Sequence, residues 1–204
     1  MLQMLARWNG DRRGSAAIEF ALAFPVILGL TMGIVEIAHI AFAENTLEGA
    51  VREASRQGVT GYVPQGGTRE AYVRSQVLDR MAMFGIEGPV EIDTRVYDSF
   101  GDIGEPEPYS DDNANGSYDA GECFTDINQN GQWDPDMGAA GLGGSGAIVV
   151  YRAIVRLRLL TPVFAWMIGD SASTITLDAA TAVRNEPFNL IKQSLKDGAP
   201  TVCT

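Results

Sequence analysis

Histidine, cysteine and local positive charge are all scarce in this 204-residue sequence. The single histidine, His39, lies in an apolar stretch near the N-terminus. A His-dependent nucleophilic triad and a His-ligated zinc site therefore have no imidazole to use in the remainder of the chain. Two cysteines, Cys123 and Cys203, exclude a four-cysteine zinc centre, and no CxxC pair is present. No glycine-rich phosphate loop or dinucleotide fingerprint occurs. Lys and Arg are missing from 101–137, which holds ten acidic residues, a large part of the net charge of −11. So localised an acidic block argues against nucleic acid and for cations as partners. Of the common hydrolase arrangements only a carboxylate pair is left, and metal-ligand spacing accounts for these acids better. The chain is accordingly read as a structural protein rather than an enzyme, with no small-molecule substrate.

Charge is also absent from Phe20 to Val35. The wider apolar run from Ser15 to Ala43, broken by Glu19, Glu36 and His39, is long enough to cross a bilayer as a helix. Arg7, Arg12 and Arg13 precede it. That asymmetry predicts a single-pass protein of the cytoplasmic membrane, with the N-terminus inside and the remainder periplasmic or extracellular. A cleaved secretory signal is a competing reading, since Ala41-Phe42-Ala43 resembles a peptidase site. Against it, the apolar run is about twice a usual signal core. Pro25 removes one backbone hydrogen bond inside the helix.

Beyond the membrane, Leu47, Val51 and Ala54 keep helical spacing, so one helix is predicted over about 15–57, half span and half stalk. Thr68–Phe84 reads as a second amphipathic helix, with Val73, Val77, Met81 and Phe84 on one face. Val90–Tyr97, Ile148–Leu159 and Ile175–Val183 alternate apolar and polar residues as strands do. The predicted fold is α+β: a long membrane and stalk helix, one more helix, and a small antiparallel sheet of about three strands. The domain division is 1–14, 15–57 and 58–204, with an acidic insert at 101–146. The apolar run Thr161–Gly169 is too short to span and is expected to turn back onto the core.

Within the insert, Asp111, Asn113, Asn115, Asp119 and Glu122 occupy positions 1, 3, 5, 9 and 12 of a calcium loop. Gly116 sits at position 6, where the loop must turn, and Ser117 at 7 offers its carbonyl. Fifteen residues on, the pattern repeats with Asp126, Asn128, Asn130, Gly131, Gln132 and Asp134. Its position 12 is Met137, so this loop lacks the bidentate ligand unless Asp136 replaces it. Oxygen donors alone suit Ca²⁺, strongly at the first loop and less so at the second. The prolines in Gly104-Glu105-Pro106-Glu107-Pro108 exclude an entering helix, so bare loops are expected rather than helix-loop-helix hands. Tyr118 and Trp133 share position 8 and are placed to pack the loops together. Cys123 and Cys203 leave two states open, free thiols or one disulfide; pairing after export is the expectation.

The leader Arg12-Arg13-Gly14-Ser15-Ala16-Ala17-Ile18-Glu19 resembles a prepilin leader, in which a membrane peptidase cuts after the glycine. Together with Thr161-Pro162 and the closing Ala182-Val183-Arg184-Asn185-Glu186-Pro187-Phe188, it resembles the TadE-like family of the tight-adherence (Flp, type IVb) pilus system. The resemblance implies cleavage between Gly14 and Ser15 by a prepilin peptidase. It also implies a pseudopilin-like role among other TadE-like or pilus-assembly subunits, with Glu19 pairing to a neighbour's N-terminal ammonium. A membrane-anchored calcium-binding module of the cell surface, unrelated to pili, is the alternative.

Overall fold

The computed structural model describes residues 15–59, 67–161, 173–187 and 194–203. The leader with Gly14, the apolar run from Pro162 to Gly169, and Phe188 lie outside them.

Helix α1 spans Ser15–Val59. Its residues up to Phe42, together with 159–161 and 173, belong to one compact unit, and the other described residues belong to a second. On this part of α1 the large apolar side chains stand mostly exposed, Leu22 at 73% and Ile34 at 68%. Water would penalise so large an apolar surface, whereas lipid would not. Among the described residues α1 is the one helix long and apolar enough to cross a membrane. Glu36 is the exception on this stretch: it is fully buried. Its carboxylate accepts hydrogen bonds from Leu160 N (3.0 Å), Thr161 N (2.8 Å) and Thr161 Oγ1 (2.9 Å). A buried carboxylate costs little only when its oxygens are satisfied, and these are.

In the second unit α1 changes character. Ala43, Leu47, Ala50, Val51 and Ala54 are buried at helical spacing, giving the stalk one apolar stripe. Helix α2, Arg69–Met81, begins at Thr68, whose Oγ1 accepts from Ala71 N, and buries Val73, Val77 and Met81. Strands β1 (Glu91–Tyr97), β2 (Cys123–Thr125), β3 (Ala139–Ala140), β4 (Ile148–Arg158), β5 (Thr174–Arg184) and β6 (Thr201–Cys203) follow. They build a four-stranded antiparallel sheet in the order β3-β1-β4-β5 and a separate β2-β6 ribbon. The predicted α+β architecture and its three principal strands are present. The two-residue β3 and three-residue β6 carry too few residues for alternation to reveal them. Tyr151, Ala153, Val155 and Leu157 form the buried row of β4, joined by Leu177 and Ala179 from β5.

The helix predicted over about 15–57 runs on through Gly58 to Val59. The glycine has a packing reason: a Cβ there would collide with the Tyr151 ring. The Gly58 carbonyl accepts from Arg69 Nη2, which also donates to Asn185 Oδ1 (3.2 Å). Buried Asn185 gives its amide hydrogens to Leu142 O and Gly144 O, both at 2.9 Å. The closing strand is thereby tied to the start of α2 and to the end of the insert.

Candidate functional site

The insert folds as two loops of the same backbone shape. At position 6, Gly116 and Gly131 have φ of 78° and 80°. At position 4, Ala114 and Gln129 have φ of 57° and 59°, a left-handed conformation that costs non-glycine residues energy. The Asp111 carboxylate accepts from Asn115 N (3.1 Å) and Gly116 N (2.8 Å). Asp126 repeats this with Asn130 N (3.1 Å) and Gly131 N (2.8 Å). The amides of Asn113 and Asn115 converge on Asp119 Oδ2, at 2.7 and 2.6 Å. Those of Asn128 and Asn130 converge on Asp134 Oδ2, at 2.7 and 2.5 Å. Ser117 N and Gln132 N each donate at 2.7 Å to the asparagine two residues before.

Closure of the loops separates sequence expectation from structure. In the first loop Glu122 accepts from Asp112 N (3.0 Å) and Asp119 N (2.9 Å), the residues at positions 2 and 9. In the second loop the same two positions, Ile127 N (2.7 Å) and Asp134 N (3.1 Å), donate to Glu107. Glu107 also accepts from Asn128 N (3.2 Å) and is fully buried. Met137 instead packs with Tyr97, Ile127 and Ile148 in a small apolar cluster. Asp136, the expected substitute, turns away: it accepts from Tyr97 Oη (2.9 Å) and bridges to Arg95 Nη1 (3.0 Å). Burial and the adjacent Asp136 carboxylate hold the Tyr97 hydroxyl well above its ordinary pKa, so it stays a donor. Arg95, raised by its bond to Asp93, stays charged.

Glu107 escapes a reading based on loop spacing because it precedes the loop it closes. One signal for it exists: it stands between Pro106 and Pro108, whose rings stiffen an otherwise open segment. That segment is held by Glu107 N to Asp134 O (3.0 Å), Thr125 N to Pro108 O (2.8 Å) and Ser110 N to Cys123 O (2.8 Å).

The loops face each other through their position-8 residues. Tyr118 and Trp133 stack with centroids 4.6 Å apart and planes at 13°. Tyr109 meets both rings edge-on at 5.9 Å, and Trp133 Nε1 donates to Glu107 O (2.9 Å). Below them β2 and β6 pair in register, and Cys123 is bonded to Cys203 directly opposite. Among the described residues no three Asp, Glu, His or Cys side chains form a metal cluster by themselves. A cation at either loop would need the asparagine amide oxygens and the position-7 carbonyl as well, the hard-oxygen set that Ca²⁺ accepts. The donor chemistry fits that ion.

On α1, Glu19 is exposed and accepts from Ser15 Oγ (2.8 Å), one turn away. The family model described as TadE-like protein matches residues 14–56, the stretch that contains Ser15, Glu19 and Glu36. The TadE-like resemblance therefore holds over helix α1, about a fifth of the chain. No curated protein and no solved structure matches.

Proposed function

We propose that this chain is a pseudopilin-like, membrane-anchored structural or assembly protein of a tight-adherence pilus system, with an extracytoplasmic domain stapled by calcium. The observation that carries the pilus reading is the TadE-like match over 14–56. It falls on a helix whose exposed apolar surface suits lipid and which carries a carboxylate at Glu19, five residues past Gly14. A carboxylate at the head of a spanning helix is costly alone and useful when it meets a cation, here the free N-terminus of a neighbouring subunit. The prepilin peptidase would expose that ammonium at Ser15, and the N-terminal Arg residues would hold the leader inside.

Calcium enters through the paired loops. Asp111, Asn113, Asn115, the Ser117 carbonyl, Asp119 and Glu122 would hold one ion. Asp126, Asn128, Asn130, the Gln132 carbonyl, Asp134 and Glu107 would hold the other. Bound cations would neutralise the mutual repulsion of the acidic block and stabilise the folded insert without moving it.

Mass spectrometry of the membrane-extracted protein tests the reading. A mature N-terminus at Ser15 supports it. An uncut N-terminus would return the chain to an anchored calcium-binding module unrelated to pili, and a start at Glu44 would exclude both anchored forms.

A further inference from the structure

Strand β5 is the long edge strand of the four-stranded sheet formed by the described residues. Its register with β4 is unbroken from Arg184 opposite Ile148 to Thr174 opposite Arg158, with no bulge. Just past its end, Asn185 N donates to Ala147 O across the same ladder (2.9 Å). Antiparallel ladders alternate, so odd-numbered residues of β5 bond to β4 and even-numbered ones direct their N–H and C=O outward. The outward row is Thr174, Thr176, Asp178, Ala180, Ala182 and Arg184. No strand pairs with this row among the described residues. Exposed edges are normally blunted by proline, lysine or a bulge, and β5 has none of these.

The row carries two charges, Asp178 and Arg184. If β5 pairs antiparallel with its own copy, each register is set by the residue on the two-fold axis. Centring on Thr181 puts Asp178 opposite Arg184 of the second copy, twice. It also keeps outward residues facing outward residues, Ala180 opposite Ala182. Centring on Asp178 would oppose two like charges. Asp178 is held by Arg152 of β4, whose Nε donates to Oδ1 and Oδ2, both at 3.0 Å, and whose Nη2 donates to Oδ2; Oδ1 keeps a lone pair for a second guanidinium. Among the described residues Arg184 spends only Nε internally, on Gly146 O (3.3 Å).

We propose that β5 is a docking edge for β5 of a second copy of this chain, paired antiparallel about Thr181. The pairing does not depend on the pilus reading or on calcium. It is tested on the full-length chain in membranes by Thr181→Cys with copper-phenanthroline as oxidant. The central residues form a non-hydrogen-bonded pair, whose close Cα spacing admits a disulfide. The native cysteines, already joined to each other, offer no competing thiol. A reducible dimer is expected for Thr181→Cys and none for Ala179→Cys, which would face Val183. Adding Ala180→Pro removes an outward donor and no bond to β4, so the dimer should be lost with the melting temperature unchanged. Should that proline lower the melting temperature, Arg184→Asp decides, because it too should abolish the dimer. A monomeric Thr181→Cys protein, a cross-link to a different protein, or a dimer that persists in both variants would overturn the proposal.

Discussion

Glu107 and Glu122 hold equivalent places in two successive loops. Each accepts from the amides at loop positions 2 and 9, yet Glu122 closes its loop from within and Glu107 from upstream. Two carboxylates placed alike should act alike, and the second loop should then bind as well as the first.

The full chain in detergent is therefore expected to melt higher in calcium than in chelator. Binding to the folded state alone is worth about 2.7 kcal/mol per ion at a hundredfold excess over Kd. Glu107→Gln and Glu122→Gln should each remove about half of the calcium-dependent shift, and Asp136→Asn should remove none. Equal melting with calcium and with EDTA would refute both sites.

Glu36→Ala should unsettle the 159–161 segment without disturbing insertion. It leaves Leu160 N and Thr161 N, both on partly exposed residues, without their acceptor. Hydrogen exchange at those two amides should accelerate, while amides of β4 keep their protection. Unchanged exchange at Leu160 and Thr161 would show that the carboxylate is not their partner.

Removing the Cys123–Cys203 bond, which spans 80 residues of chain, should destabilise the second unit by about 4 kcal/mol in the chain-entropy model. Thermal melting of Cys123→Ser/Cys203→Ser against the parent protein measures this. Two freely alkylated thiols in exported protein would refute the pairing.

Acid should loosen the C-terminal segment. Burial raises the Asp102 carboxyl, but bonds from Lys196 and Ser99 outweigh it and hold the group below the usual carboxylate range. A depressed folded-state pKa gives stability that is fully present above the unfolded value and lost as pH falls through the folded one. Proteolysis of the 194–203 segment should therefore rise below about pH 4. Lys196→Ala should flatten that dependence, and an unaltered acid profile would show the ion pair (2.9 Å) to be idle.

Glu19→Ala should leave membrane insertion intact, because it takes a charge out of an apolar helix, yet impair pilus formation. Normal piliation in that variant would count against a subunit-pairing role.

Much of this was legible in the residues because it rests on local periodicity. The two helices follow from 3.6-residue spacing and β4 and β5 from alternation, each over enough residues to average out exceptions. The repeated loop geometry follows from fixed spacing, and the Tyr118–Trp133 stack follows from their shared position. Glu107 was marked only by its flanking prolines, because a contact from upstream leaves no period. Met137 misled for a related reason: a ligand position in the pattern was taken by the apolar cluster of Tyr97, Ile127 and Ile148. Glu36 read as an interruption of the apolar run, since its three donors lie more than a hundred residues away in sequence.

The β2-β6 ribbon has a consequence for the order of events during synthesis. Phe124 can find Val202, and Asp98 can gather Ser194 Oγ (2.6 Å) and Leu195 N (2.9 Å), only after synthesis has passed β4 and β5 and reached residues 194–203. Until then the acidic loops are a long, self-repelling tether between β1 and β4, with their floor still missing. Such distant pairings are slow to form and are kinetically the last. The chain thus carries a built-in check: a copy truncated before Thr201 could assemble its helices and main sheet, yet would lack the partner strand of β2 and the disulfide that joins them.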